Sequence, residues 1–158
     1  MNANDFIIET IKKLLELLGI IVTDVMLDID EKTKTHRFVV TTPESAMLIG
    51  EQGTRLLSLN HLMKRIVEKK FPGENVAFMI DVNDYQKKHI EDVRSKAHML
   101  AERARHFKST VEMEPMSSYE RMIVHAEFTS STDIETGSLG IGKERHVVLK
   151  YSETKTVA

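Results

Sequence analysis

The chain has no cysteine. A disulfide scaffold, a thiolate zinc site and a cysteine nucleophile are thereby excluded, and the composition fits a reducing compartment. Tryptophan is also absent, and only 3 prolines and 7 glycines punctuate 158 residues, so long irregular stretches are not expected before the tail. No run approaches the roughly 18 consecutive apolar residues that a membrane span needs. The opening "MNANDFIIETIKKLLELLGI" carries early acids and spaces its apolar residues helically, unlike the unbroken apolar block of a signal peptide. A cytoplasmic protein without an integral membrane segment is expected. Metal spacing is missing too. The histidines are scattered, with no His-x-x-x-His and no paired carboxylate at ligand distance. No serine sits in a nucleophile elbow. Asp28, Asp30 and Glu31 read as an acidic strand edge and turn. The expectation is a protein that is not an enzyme and has no cofactor, metal or small-molecule substrate.

What remains is an ordinary globular composition, 41% hydrophobic and 29% charged, long enough for one domain or two small ones. The net charge is −2 and the pI near 6.4, which does not resemble the basic balance of many nucleic-acid binders. The charge is uneven, however. Residues 1–50 hold 5 Lys/Arg against 8 Asp/Glu, residues 54–70 hold 5 against the single Glu68, and residues 84–110 hold 7 against 4. Local field governs a charged ligand more than the sum does.

Hydrophobic periodicity orders the elements. Residues 4–18 form a helix with Ile7, Ile11, Leu14, Leu15 and Leu18 on one face, stopped by Gly19. "IIVTDVMLDID" alternates as a half-buried strand, with Ile21, Val25, Leu27 and Ile29 inward, and "THRFVVTT" is its hairpin partner. Thr42-Pro43-Glu44 begins a short helix that ends at Gly50. A second helix runs from about Thr54 to Lys70 with a stripe of Leu56, Leu59, Leu62, Met63, Ile66 and Val67. "VAFMIDV" is a third strand. Asn83 or Asp84 is expected to cap a long helix over 85–107, whose buried stripe is Ile90, Val93, Ala97, Leu100, Ala101, Ala104 and Phe107. Lys87, Arg94, His98 and Arg105 line another stripe. "TVEME" is a short strand. Ser117 and Glu120 form a capping box for the helix "SSYERMIVHAEF". Strands near 132–136 and 145–150 flank "TGSLGIG", and residues 152–158 read as a frayed tail. The 9 methionines are expected to be core filler. Tyr85, Tyr119 and Phe128 are the candidate stacking aromatics.

Two motifs carry chemistry. In "MLIGEQGTRLLSL", Gly50 and Gly53 interrupt two helices. Such a pair admits backbone angles that other residues resist and lets another backbone approach. The helix that follows presents unpaired N–H groups and its positive dipole end, which suit a phosphodiester. A P-loop is excluded, because a helix precedes the loop and Thr54-Arg55 follows Gly53 where Gly-Lys-Ser/Thr would be required. In "PMSSYERMIVHAEF", Arg121 and His125 stand four residues apart and share a helix face, with Met122, Ile123 and Ala126 turned to the core.

The first motif, inside an α-β-β-α-α-β order, resembles a KH domain over residues 1–83. The resemblance makes Gly50, Glu51, Gln52 and Gly53 the clamp for the sugar–phosphate backbone of about four unpaired nucleotides, with Thr54, Arg55, Lys64 and Arg65 supplying donors and charge on the next helix. Glu51 is unfavourable there, since a carboxylate about 4 Å from a phosphate is repelled by about 1 kcal/mol in water. Residues 84–151, with "EPMSSYERMIVH" and "GIGKERHVVL", resemble the R-three-H domain, named for its Arg and His. That resemblance implies single-stranded nucleic-acid binding by Arg121 and His125, with Arg145 as a neighbour and Lys143 and His146 as lesser candidates. The two modules in this order resemble the bacterial Jag (SpoIIIJ-associated) family. Many members carry an additional N-terminal domain, to which the resemblance does not extend. The resemblance implies an α+β protein that binds single-stranded RNA, or single-stranded DNA, in post-transcriptional regulation, cell division or envelope growth. Another KH protein is a candidate partner. The alternative is a protein-interaction adaptor whose acidic loop no longer binds RNA.

Overall fold

A computed structural model describes residues 1–153. The chain divides into two compact units, Met1–Lys87 and the described residues from Lys88 onward. Both are α+β. The first unit runs α1 (Ala3–Leu17), β1 (Asp24–Ile29), β2 (His36–Thr41), α2 (Ser45–Ile49), a single 3-10 turn (Glu51–Gly53), α3 (Thr54–Lys70) and β3 (Phe78–Val82). Helix α4 (Tyr85–Phe107) begins in it. The sheet order is β1-β2-β3, with β1 antiparallel and β3 parallel to β2. The core joins Ile7, Ile11 and Leu15 of α1 to Phe38, Val40, Leu56, Met63, Ile80 and Val82. Each such side chain taken from water contributes roughly 1.5–3 kcal/mol.

The expected stripes need correction at their edges. Leu18 is 60% exposed, because it caps α1 in place of continuing it. In β1 only Val25 is buried; Leu27 and Ile29 are exposed, and Ile21 lies outside the strand. β1 is an edge strand, and of its residues only Val25 joins the core. Leu62 is 48% exposed, outside the α3 face defined by Leu56, Met63 and Val67. Helix α2 begins at Ser45, later than expected; Thr42 Oγ1 accepts the Glu44 N–H at 3.0 Å and donates to Ile21 O at 2.6 Å.

The largest correction concerns the start of α4. Neither Asn83 nor Asp84 caps it. Both have positive φ (48° and 60°), which places them in the turn. Asp81, fully buried, does the capping: Oδ1 accepts from Gln86 N at 2.8 Å and Oδ2 from Lys87 N at 3.0 Å. The same carboxylate accepts from Val82 N at 2.7 Å and from Arg37 Nη1 at 2.9 Å. Arg37 also reaches Asp84 (2.9 Å) and Asp28 (2.6 Å), so one buried guanidinium joins β1, β2, β3 and the turn before α4. Burial alone would lower the Arg37 pKa; hydrogen bonds to Asp28, Asp84 and Asp81 outweigh it and hold the cation charged. Asn83 Oδ1 accepts from Thr42 N and its Nδ2 donates to Thr42 O, while Asn60 does the same for Ile80 on β3. The Asn60 amide thus satisfies β3 edge groups that a further strand would otherwise take, and the Asn83 amide extends the β2–β3 pairing beyond the end of β3.

The second unit comprises most of α4, then β4 (Thr110–Glu112), α5 (Ser118–Phe128), β5 (Ile134–Leu139) and β6 (His146–Tyr151), with sheet order β4-β6-β5, all antiparallel. Ala97, Ala101 and Ala104 pack without protruding side chains against a core that includes Val124, Phe128, Ile134, Val147 and Leu149. Phe107, expected in that stripe, is 66% exposed at the last turn of α4. On α5, Ile123, Val124 and Phe128 are buried, whereas Met122, expected in the core, is exposed and Ala126 is only half-buried. Phe128 is therefore no stacking platform. β5 continues through Gly137 to Leu139, so the glycine turn is confined to Gly140–Gly142. Only Met63, Met79 and Met113 are buried, whereas Met1, Met26, Met47, Met99 and Met122 are exposed. Ser152 N–H donates to Asp133 O at 2.9 Å, so the expected frayed tail does not begin there; residues 154–158 lie outside the described residues.

Removing one partner of a buried ion pair costs about 3–5 kcal/mol because the other charge is stranded. Asp81→Ala is expected to destabilise the first unit by about that amount in urea unfolding. Asp28→Ala, whose carboxylate is 54% exposed, is expected to cost about 1 kcal/mol or less. Equal effects of the two substitutions would refute the central role of Asp81.

Candidate nucleic-acid interface

The first candidate surface is the turn between α2 and α3. Gly50 (φ 71°) and Gly53 (φ 78°) both occupy positive φ, and Gln52 (φ 52°) between them does too. This local chain reversal is why a glycine pair is needed. It is also close-packed. A Cβ at Gly53 would lie 3.0 Å from the Tyr85 ring, and a Cβ at Gly50 would lie 2.6 Å from Arg55 Cγ. Tyr85 is thus packed under the turn and is not a stacking platform. Glu51, Gln52, Thr54 and Arg55 are exposed; Thr54 Oγ1 donates to Glu51 O at 2.8 Å. Arg55 folds its stem over Gly50 and donates to Met47 O at 3.2 Å. No described carboxylate pairs with it. Lys64 and Arg65 are exposed but sit about 17 Å down the α3 axis from Gly53 at about 1.5 Å per residue, and Arg65 pairs with Glu68 at 3.5 Å. The structure does not bring them to the turn.

The second candidate surface is on α5. Its capping box is complete: Ser117 N–H donates to Glu120 Oε2 at 2.7 Å and Glu120 N–H to Ser117 Oγ at 3.3 Å. Burial would raise the Glu120 pKa; the Ser117 bonds, and His89 at 2.5 Å, outweigh it and leave the pKa low. This fixed first turn aims Arg121 at a concavity of about 750 Å³ lined by Met116, Ser118, Gly142, Lys143 and Arg145, and also by Glu120, whose carboxylate is taken up by Ser117 N and His89. Arg121 donates to Met116 O (2.8 Å) and Ser118 Oγ (3.1 Å), and Arg145, just before β6, donates to Gly140 O (2.9 Å). Neutral oxygens hold both arginines in place. Among the described residues, no carboxylate pairs with either one. A Cβ at Gly140 would fall 2.7 Å from Glu144 O, so this glycine permits the tight turn that places Lys143 and Arg145.

The contrast with the other basic residues of this unit is chemical. Arg105 makes a two-pronged bond to Asp133 (2.8 and 3.0 Å) and contacts Glu102; those bonds raise its pKa. Arg94 and His98 both meet Glu127, whose side chain is only 4% exposed, at 2.9 Å. Arg94, His98 and Arg105 of the basic stripe read along α4 therefore fasten α4 to α5 and to the turn before β5. His146 bonds to Glu144 O and approaches Glu112 at 3.4 Å.

His125 shares the α5 face with Arg121 but faces β5. Its Nδ1 lies 2.7 Å from Thr136 Oγ1 and its Nε2 3.2 Å from Ser138 Oγ. Burial first, and the Arg121 charge second, lower its pKa below the ordinary 6.5. The ring is a neutral strut between helix and strand. Helical spacing pairs it with Arg121, but its two hydroxyl partners lie 11 and 13 residues away, beyond any local pattern. Gly142 and Met116 are likewise not legible in the sequence as parts of the site.

A helix-capped arginine beside a glycine-turned basic loop, on an antiparallel three-stranded sheet, defines the class: residues 91–151 match the family model of the R-three-H domain. The chain is 31% identical over 125 residues to the RNA-binding protein KhpB of Bacillus subtilis (strain 168), a match covering 78% of this chain and 60% of that protein. It is 27% identical over 145 residues to the RNA-binding protein KhpB of Clostridium symbiosum, covering 92% and 64%. Against the protein of that name from Lactiplantibacillus plantarum the identity is 26% over 123 residues, covering 78% and 38%. Residues 91–151 thus belong to the R-three-H domain family, and the similarity to the KhpB proteins extends over most of the chain. The chain spans about three-fifths of the length of the first two relatives.

The lowered His125 pKa has a definite sign. On acidification below about pH 6.5 the unfolded chain binds this proton before the folded chain does, so stability present at neutral pH is lost through that window. His125→Gln keeps an amide for the two hydroxyls but does not titrate. Its urea midpoint is expected to fall less than that of the wild type between about pH 7 and pH 5. Parallel pH profiles would show that His125 does not carry this linkage.

Proposed function

We propose that this chain binds single-stranded RNA, with the Arg121–Arg145 concavity of the R-three-H domain as one phosphate site and the Gly50–Gly53 turn of a KH-type first unit as another. One observation carries the reading: Arg121 and Arg145 converge on a single concavity with no described carboxylate partner, while Arg37, Arg94 and Arg105 are each matched by acids. Guanidinium forks held by neutral oxygens suit phosphate oxygens. The names of the relatives agree with this reading. His125 fixes the helix against the strand, and the arginines contact the phosphates. At the first unit, Gly50, Glu51, Gln52 and Gly53 approach the strand through backbone, and Thr54 and Arg55 supply donors. Two weak sites engaging one strand raise avidity without new contacts. The role is binding, without catalysis, in bacterial post-transcriptional control of cell division or envelope growth.

The adaptor reading is favoured by one feature, the exposed Met26, Leu27 and Ile29 on the edge strand β1. A partner that survives RNase treatment in a pull-down would support it.

Titration of a short fluorescein-labelled single-stranded RNA at two salt concentrations tests the main reading. Arg121→Ala and Arg145→Ala are each expected to weaken binding about tenfold and to reduce the salt slope by about one ion. Glu51→Lys, at an exposed position, is expected to tighten binding and steepen the slope. Substituting Gly53 is less informative, since its positive φ and the Tyr85 contact make it a folding variant. Wild-type affinity and slope in all three variants would discard both sites.

A further inference from the structure

Of the 6 phenylalanines and 3 tyrosines, Phe107 alone is exposed; the other eight, all among the described residues, are buried or half-buried. An aromatic ring left 66% in water at the end of a helix is not used by the core. His106 stacks edge-on against it, with ring centroids 4.8 Å apart and planes at 89°. Together they form an exposed aromatic corner. Phe107 lines an open concavity of about 610 Å³ with Arg103, Ser109, Thr110, Val111 and Glu112, and His106 backs its ring from outside that lining. Arg103 lies one helical turn before Phe107 and forms no ion pair among the described residues. Lys108 follows directly, held only loosely by Glu153 at 3.9 Å.

The mixture of groups distinguishes between occupants. A phosphate alone would avoid Glu112. An apolar protein surface would have to bury Arg103 and Glu112 together. A nucleobase matches every group: its face stacks on Phe107, an exocyclic amino group donates to Glu112, and the attached phosphate meets Arg103 or Lys108. The location is also consistent. Ser109–Glu112 line this concavity and Pro115–Ser118 line the Arg121 concavity. Glu112 and Pro115 are three residues apart, so the two rims lie within about 11 Å along the chain.

We propose that Phe107, with His106 and Arg103, is a nucleobase-stacking site of the R-three-H domain, holding a base of the strand whose phosphates occupy the Arg121–Arg145 concavity. This rests on the RNA-binding reading and adds what that reading lacks, a contact that senses the bases. It makes the protein prefer unpaired strands, because a base must leave its stack to reach Phe107.

The test uses a fluorescein-labelled single-stranded RNA of mixed sequence and an abasic ribose-phosphate strand of the same length. Phe107→Ala is expected to lose about tenfold in affinity for the RNA and to bind the abasic strand as the wild type does. Arg121→Ala is expected to lose affinity for both. Because the chain has no tryptophan, Phe107→Trp supplies a single fluorophore whose emission is expected to be quenched by unlabelled RNA and not by the abasic strand. Leu17→Trp, at an exposed position in the first unit, serves as the unquenched control. Equal binding of RNA by Phe107→Ala and wild type, with no quenching of the indole in Phe107→Trp, overturns the stacking site and leaves this face to a protein partner. Failure of the wild type to bind either strand overturns the RNA-binding reading itself.

Discussion

The carboxylate of Asp81 is the constraint around which the first unit is organised. It receives four donors: Val82 N, Gln86 N, Lys87 N and Arg37 Nη1. It closes the end of β3, starts α4 and holds the central-strand guanidinium in one step. An aspartate with no exposed surface is stable only when each lone pair is used. Arg37 then has donors left over, which Asp28 and Asp84 take up. Tyr85, the first residue of α4, is thereby set against Gly53. The shape of the glycine turn therefore depends on a carboxylate buried inside the first unit.

The same principle divides the basic residues of the second unit. Charge available to a ligand is what remains after internal acids have been matched. Arg94, His98 and Arg105 are matched with Glu127, Asp133 and Glu102. The Glu127 pairs fix α4 against α5 and the Asp133 pair fixes it against the turn before β5, which a small core rich in alanine benefits from. Arg121 and Arg145 are held by carbonyl and hydroxyl oxygens. Such acceptors orient a guanidinium without neutralising it, so its field persists at the surface. An overall net charge of −2 is compatible with a local anion site for this reason.

Local signals are legible in the sequence and distant pairings are not. The capping box at Ser117 and Glu120 lies within one turn, and both of its bonds form. The helix after Gly53 spans Thr54–Lys70 as its periodicity implies. The cap of α4 escapes a sequence reading because Asn83 and Asp84 are the usual capping types at the usual place. The residue that closes the helix lies further back, inside a strand whose apolar pattern makes it look incidental. Phe107 escapes for a related reason: helical periodicity extends a stripe to the last turn, whereas packing ends where the opposing core ends. The basic stripe on α4 cannot be told from a ligand surface without knowing that Glu127 and Asp133 face it. The family resemblance indicates Arg121 and His125 together, and only the geometry separates a guanidinium held by neutral oxygens from a neutral strut.

That separation bears on how the two residues depend on each other. Burial lowers the His125 pKa, and the charge of Arg121 acts in the same direction. A neutral imidazole between Thr136 and Ser138 adds no positive charge that would repel Arg121 or compete for its acceptors. Were the ring protonated, both nitrogens would be donors and both hydroxyls would have to accept, placing a second cation beside Arg121 in a half-buried site. A bound phosphate would favour that protonation by offsetting the repulsion. Linkage then requires the reverse as well: protonating His125 must strengthen the affinity of a nearby phosphate while weakening the fold that positions it. The neutral form of His125 at ordinary pH keeps α5 on β5 while Arg121 alone presents the charge.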